Sequence, residues 1–493
     1  MKNVTIAAAL IGLAVPALAG AAEFQTPGAL GMGRAGVART TDAYALFWNP
    51  AGLAFYEKPF STRLNAGVGV SISESLADNV DKVGKLDLGN SKLNYSTPTE
   101  AVAATARAVQ FTGLVNDLAK NKGDLAINVD AALGFQYRNY GLGLGVATEM
   151  GAGIGAVDTQ NLRVGSSTSS ATTVGGLAAD LGATSPARTA NLFSTTQYNN
   201  VVTALQNAGG TLTDSQRVAS TLEAQLAKEN KTALSSEQLS QAMITMAGSL
   251  NKGGIDSNQT SVDLRGLLLA EVPLGYGYKF DFGPLGKVGV GGAVKVMQGT
   301  VYGQVVEIMK IKDSNDLVKK VKDTKSDSTT VGLDLGLLWR YEEIKALGPI
   351  NVALVGKNLN SPEFDAPVAV PGFTKVKVEP QVRFGVALDP FSFLSIAADL
   401  DVTKNKTILP GRDSQNIGAG VDFHPFSFFA VRAGLFDNLA ISSSSPVLTA
   451  GLTLGPRWFR FDLDAAVSTE TGKFDNQSYP REAKVEFGLS TMF

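Results

Sequence analysis

The sequence predicts an all-β fold, a transmembrane antiparallel β-barrel of about 14 strands with an N-terminal hatch and a partly helical extracellular insert. Three observations lead there. Apolar residues recur at every second position in segment after segment, opposed by small or polar residues. The connections between those segments alternate between tight and long. Past the N-terminus no run of about 18 apolar residues occurs, so a chain that spans a membrane must close into a ring with no free edge.

Composition narrows the chemistry. The 493 residues carry a formal net charge of -2 and no cysteine. That leaves no basic footprint for nucleic acid, no disulfide framework and no thiolate metal site. The single histidine, His424, leaves little room for a Ser–His–acid triad or a histidine metal cluster. No enzyme activity, cofactor or metal is expected. The 53 glycines and the low share of charged residues, 18 %, suit a β-rich protein with a lipid-facing exterior.

Residues 1–22 read as a signal peptide. Lys2 supplies the positive start and Thr5 to Val15 the apolar core. Ala17-Leu18-Ala19 or Gly20-Ala21-Ala22 offers a small-residue cleavage site near residues 19–22. The hatch follows, over residues 23–58. Its centre is Gly31–Leu53, GMGRAGVARTTDAYALFWNPAGL. Gly31, Gly33 and Gly36 permit close approach by neighbouring segments. Asn49 caps the turn that follows, and Pro50 suits a first helical position. Gly31 to Gly36 also fits G-x-G-x-x-G, with Glu57 downstream. No βαβ unit surrounds it, so nucleotide binding is rejected.

Residues 59–493 form the barrel. Phe60 to Ile72 reads as its first strand. The capping box Thr97-Pro98-Thr99-Glu100 opens a helix with Phe111, Leu114, Val115 and Leu118 on one face. From Leu125 to Tyr137 the apolar period is two. About residues 158–260 break that pattern, a length that fits a lid or external cap. The first part is rich in Ser, Thr, Gly and Ala. The later part holds two helices, one from Thr213 with Val218, Leu222 and Leu226, the other opened by the box Ser235 to Gln238. Alternation returns over Val331–Tyr341, Val376–Leu388, Leu394–Val402 and Phe459–Val467. Tight turns are expected at Asn139, Phe282–Gly286, Glu343–Gly348, Asp389-Pro390, His424-Pro425 and Gly455-Pro456. Tight turns of such a barrel face the periplasm, which puts both termini there and the insert outside the cell. The last strand ends on an aromatic residue, and Phe487, Leu489 and Phe493 are read as the signal for the barrel-assembly machinery.

With these residues in view, the chain resembles the FadL/TodX-like outer-membrane transport superfamily, closest to its conjugal-transfer TraF-like branch. The likeness is carried by Gly31-Met32-Gly33-Arg34-Ala35-Gly36, Thr41-Asp42-Ala43 and Phe47-Trp48-Asn49-Pro50-Ala51-Gly52-Leu53. It implies a barrel in the bacterial outer membrane whose hatch sits in the lumen and moves to let hydrophobic or amphipathic small molecules diffuse through. The alternative is a TraF-like surface or assembly component linked to conjugation or secretion, with no transport role. Expected partners are outer-membrane lipid, the assembly machinery and hydrophobic small molecules, without nucleic acid.

Candidate gating residues are Gly31, Gly33, Arg34, Gly36, Asp42, Asn49, Pro50 and Gly52; the alternative is a fixed plug that stabilises the barrel with no gating role. A buried Arg34 needs a carboxylate, for which Asp42 and Asp334 are candidates. Leu239, Met243 and Met246 form either an external greasy groove or the contact between two helices. Arg340, Asp399, Asp401, Asp462 and Asp464 line the lumen, as selectivity groups or as a mutually paired wall. Trp339, Tyr341 and Trp458 suit an interfacial girdle. His424 reads as an ordinary turn residue.

Overall fold

The computed structural model describes residues 27–493 other than 74–81, 83–85, 87–92, 94, 122–123, 166–170, 308–323, 343, 345–347, 410–411, 442–443, 457 and 475–476. The expected signal peptide lies outside these residues. Alternating side chains make strands because each strand can then turn one face outward and one inward. Fourteen such strands close one antiparallel barrel. They are β1 (Phe60–Ile72), β2 (Asp124–Tyr137), β3 (Tyr140–Ile154), β4 (Ser261–Asp281), β5 (Lys287–Glu307), β6 (Lys325–Tyr341) and β7 (Ile350–Lys357). The second half holds β8 (Gln381–Phe391), β9 (Leu394–Asp401), β10 (Asn416–Phe426), β11 (Phe429–Asn438), β12 (Val447–Leu454), β13 (Arg460–Ser468) and β14 (Glu482–Met492). β1 pairs with β14, and the backbones of Phe60 and Phe493 exchange hydrogen bonds of 3.3 and 3.1 Å. No sheet edge is left in the ring.

The outward face is greasy. Leu64, Leu142, Leu274, Val294, Leu335 and Leu448 are exposed on it. At the rim of tight turns, Tyr137, Tyr140, Tyr276, Phe280, Trp339, Phe391, Phe426 and Trp458 gather. Trp339 stacks on Tyr341 with ring centres 5.7 Å apart. Phe487, Leu489 and Phe493 also face outward.

Three strand boundaries differ from the sequence reading. Two expected turns lie inside strand ends. Pro390 falls where the β8–β9 register shifts between Leu388 and Phe391, and Pro425 where the β10–β11 register shifts between Phe423 and Phe426. Proline suits a bulge as well as a turn, since both spare its missing N–H. The turns themselves come at residues 392–393 and 427–428. The run expected from Val376 to Leu388 is broken before Gln381, next to Pro380. Lys375–Lys377 pairs instead with Glu363–Asp365 in a separate ribbon.

The long connections gather at the opposite rim. There α1 (Pro98–Asn121), α2 (Val174–Asp180), α3 (Thr195–Asn207), α4 (Leu212–Lys228) and α5 (Ser236–Ala247) share one apolar core. The helix opened by Thr97 therefore belongs with the insert. Glu100 and Thr97 exchange the expected capping bonds, and the Ser235–Gln238 box is formed as well. Helices α2 and α3 lie in the part that composition alone left unpatterned. A capping box at Ser194 and Gln197 marks the start of α3.

Candidate functional site

The lumen is filled from the tight-turn rim by residues 27–58. This segment runs as a short 3-10 turn over Leu30–Met32, a helical turn over Ala45–Trp48 and a second 3-10 turn over Pro50–Phe55. Asn49 organises it. Its Oδ1 accepts from Ala51 N at 3.1 Å, while its Nδ2 donates to the Leu337 carbonyl of β6 at 2.9 Å. Pro50 opens the second turn, where no N–H is needed. Met32, Trp48, Leu53 and Phe55 are buried against wall residues such as Ala132, Ala293 and Ala387.

The wall is shaped to receive this backbone. A Cβ on Gly291 would stand 2.3 Å from Ala51 N, and one on Gly418 would stand 1.9 Å from the Gly33 carbonyl oxygen. Both glycines are inward-facing, so the small residues that alternate along the strands form a socket. Gly31 and Gly36 answer from the plug side, lying close to Asp464 and the Trp48 ring. Gly52 lies against the Thr40 carbonyl. Gly33 has φ of 63° and Arg34 has φ of 59°. The left-handed pair turns the chain where it meets β10 and β11, and for arginine this is an uncommon, strained backbone.

Polar contacts hold the plug around the whole ring. Asp399 Oδ2 accepts from Gly36 N at 2.8 Å and Val37 N at 3.0 Å. Lys357 Nζ donates to the Phe47 carbonyl at 3.0 Å, and Gln136 Nε2 to the Leu53 carbonyl at 3.1 Å. Gly28 N donates to Glu486 at 2.7 Å. Neither carboxylate expected for Arg34 is its partner. Arg34 approaches Glu482 at 3.4 Å and lies over the Phe436 ring at 4.0 Å. Asp42 pairs with Arg63 at 3.1 Å, and Asp334 with Lys295 at 3.0 Å. A neighbouring strand can present its carboxylate wherever register puts it, which sequence separation does not reveal.

The lumen is layered. At the tight-turn rim a polar cleft of about 480 Å³ opens between plug and wall, lined by Arg39, Asp42, Arg63, Asp422, His424 and Arg432. Arg39 pairs with Asp422, which also meets His424 Nδ1 at 3.0 Å. Beyond the plug comes a charged layer. Lys295 bridges Glu271 at 3.2 Å and Asp334, Arg383 meets Asp401 at 2.7 Å, and Lys484 meets Asp130. Back at the tight-turn rim, Arg432 bridges Asp462 and Asp464 at 3.1 and 2.9 Å, and Arg340 lies 3.9 Å from Glu342. The named aspartates are thus bonded to the wall or the plug. Above the charges lies an apolar layer in which Leu267, Leu269, Met297 and Val301 of the wall meet Phe364, Phe373 and Leu409 of the connections.

A small void of about 20 Å³ lies between plug and wall, lined by Phe47, Leu269 and Glu271 together with Ala131 and Val146 of the paired strands β2 and β3. Beside it, the β3–β4 ladder skips from Leu142–Leu274 to Gly145–Glu271, around Pro273. Proline has no N–H to lend a ladder.

Leu239, Met243 and Met246 do not form an open groove. All three are buried in the core of the helical insert, against Phe111 and Leu114 among others. The side chain of Leu118 lies outside the described residues.

Residues 46–401 match the family described as F plasmid transfer operon, TraF, protein. The chain belongs to this family. No curated protein matches the sequence. Among solved structures, the toluene transporter TbuX of Ralstonia pickettii is 12 % identical, with 96 % of this chain and 99 % of that one covered at a TM-score of 0.43. The toluene transporter TodX of Pseudomonas putida is 11 % identical over 96 % and 99 %, at 0.42. A FadL homologue of Pseudomonas aeruginosa is 11 % identical over 97 % and 99 %, at 0.39. The family match takes in Phe47 to Leu53 of the N-terminal motif and begins after Gly31 to Ala43, while the barrel itself rests on its own strand pairing.

The socket makes a direct prediction. Gly418→Val should lower barrel stability by about 1–3 kcal/mol, through overpacking against a backbone that cannot yield. Heated and unheated gel mobility across a temperature series reads the loss. Ile417→Val on the outward face of the same strand should leave the midpoint unchanged.

Proposed function

We propose that this protein is an outer-membrane channel that passes hydrophobic or amphipathic small molecules inward without energy input, with residues 27–58 as the gate. The observation that carries the reading is the lumen's order: an apolar layer at the long-connection end, then charges, then a plug that is not part of the barrel wall. The greasy outer belt and the edgeless ring support a place in the membrane, and a strand barrel is one of the two structures that can span it. Tight turns then face the periplasm and the helical insert faces outward.

The charged layer bears on the route. An apolar solute gains nothing by entering it, because the ions would have to surrender partners in a low dielectric. Two exits remain, and they separate experimentally. Either the plug withdraws and the solute crosses the charged layer toward the space it leaves, or the solute leaves sideways between β3 and β4, where the ladder skips beside Pro273. Sequence chemistry supplies a clean lock, since the chain has no cysteine of its own. A Cβ at Gly134 would lie 3.3 Å from the Ala43 Cβ, close to disulfide range, and 2.8 Å from the Ala43 carbonyl oxygen, so the reduced variant is compared with the unmodified protein before oxidation. Ala43→Cys/Gly134→Cys, reconstituted in vesicles, should lose most uptake of an apolar dye when oxidised and regain it on reduction. Equal uptake in both states would overturn gating by the plug and leave the sideways exit. No uptake by the unmodified protein would remove transport altogether.

The insert favours a second reading, in which the barrel displays a partner-binding domain. Its five helices among the described residues share a core of their own, and the family carries the name of a plasmid transfer operon. Replacing 97–121 and 160–258 with short linkers separates the two. Retained dye uptake with a lost mating or secretion phenotype would favour display. Lost uptake with an intact phenotype would favour a part in solute capture.

A further inference from the structure

The apolar layer of the lumen is built half from wall and half from loop, and that division says how it works. On the wall side, Leu267, Leu269, Met297 and Val301 face inward with gaps between them at Gly299 and Gly303. The connection between β7 and β8 fills those gaps. The Phe364 ring occupies the place where a Gly299 side chain would stand, its nearest atom 2.3 Å from that Cβ position. Phe373 and Val370 close over Gly303, and Leu409 from the β9–β10 connection presses on Gly151 in the same way. Phe364 is 1 % exposed although it belongs to a loop.

The root of this loop is stitched to β6, where Asn358 N donates to Asp334 at 2.8 Å, Leu359 N to the Leu333 carbonyl at 2.9 Å and Asn360 Nδ2 to the Val331 carbonyl at 2.6 Å. Its two rings are attached differently: Phe364 and Phe373 hold their places by apolar contact, and the Arg265 guanidinium lies 4.5 Å from the Phe373 ring centre. A polar tie of the ribbon to the wall is Asp365 N to Ser328 Oγ at 3.1 Å. The tip stands clear, with Val368 91 % exposed. Non-directional contacts can be exchanged for equivalent contacts with another apolar body, whereas oriented hydrogen bonds cannot.

We propose that the 363–377 part of this connection is a self-ligand: Phe364 and Phe373 occupy a lumen site for an uncharged, ring-sized apolar molecule, and such a molecule binds by displacing them. The inference rests on the transport reading for the nature of the solute. It adds a competitive internal occupant that holds the outer lumen shut in the solute's absence. The cation above Phe373 favours an aromatic ring in that half of the site, because a guanidinium is attracted to a ring face.

The test uses the full-length barrel in detergent and N-phenyl-1-naphthylamine, an uncharged aromatic dye. Phe364→Ala/Phe373→Ala should bind the dye about ten-fold more tightly than the unmodified protein, since the loop no longer competes. Unchanged dye affinity in a variant that still shows the gel shift of a folded barrel would overturn the proposal. Elastase supplies a second readout that needs no variant. Dye at saturation should speed cleavage at the Val368 tip of the unmodified protein, and cleavage that ignores the dye would contradict displacement. Gly299→Val separates eviction from vacancy, because it expels Phe364 while filling the site. It should speed cleavage at the tip without tightening dye binding, and tightened binding there would count against the assigned site. Vesicle uptake keeps this inference distinct from the transport reading. Tighter dye binding without uptake supports the self-ligand and removes transport, while uptake without tighter binding does the reverse.

Discussion

A ring of 14 strands is too wide for its own inward side chains to fill, and the interior of this protein follows from that constraint. Around 8 strands the side chains suffice, and beyond that the lumen must hold something else or stand open to water. Here it holds two bodies from the same chain. One enters from the tight-turn rim and is seated on inward glycines. The other folds back from the long connections and is seated on apolar side chains. The glycines at 291 and 418 are required by the first body, since its backbone passes within van der Waals contact of the wall.

The two bodies are held by different physics, and this ties structure to function. Oriented hydrogen bonds from Asp399, Lys357 and Gln136 tie the plug to β9, β7 and β2. Each charge-assisted bond contributes about 1.5–3 kcal/mol, so partial release gains nothing and the plug behaves as a unit. The rings of the outer seal, Phe364 and Phe373, are held by surface burial, which an apolar solute can replace, while the loop's root stays hydrogen-bonded to β6. A layer of paired ions separates the seal from the plug.

Much of this fold was legible in the sequence, and the reasons differ by element. Alternation of period two placed the strands because each has one greasy face. The alternating length of connections placed the rims. Proline misled at 390 and 425, where bulges rather than turns use it. The plug was legible from Asn49-Pro50 and its glycines, while the partner of Arg34 was not, since strand register puts Glu482 beside it from 448 positions away. The socket was visible as small residues without its purpose. The missed helix α3 carried a readable signal in Ser194 and Gln197. Phe364, Phe373 and Leu409 carried none, because nothing local tells which loops turn into a lumen and which turn away. Met243 and Met246 illustrate the reverse case, a stripe that served the insert's own core.

The claim beneath all of this is that plug and loop together leave no continuous water path through the ring. Ion conductance across a planar lipid bilayer measures that path directly. The unmodified protein should be electrically silent, and a variant lacking residues 27–55 with the 363–377 ribbon shortened to a turn should conduct in discrete steps. Steady conductance through the unmodified protein, or silence from the emptied ring, would contradict the account.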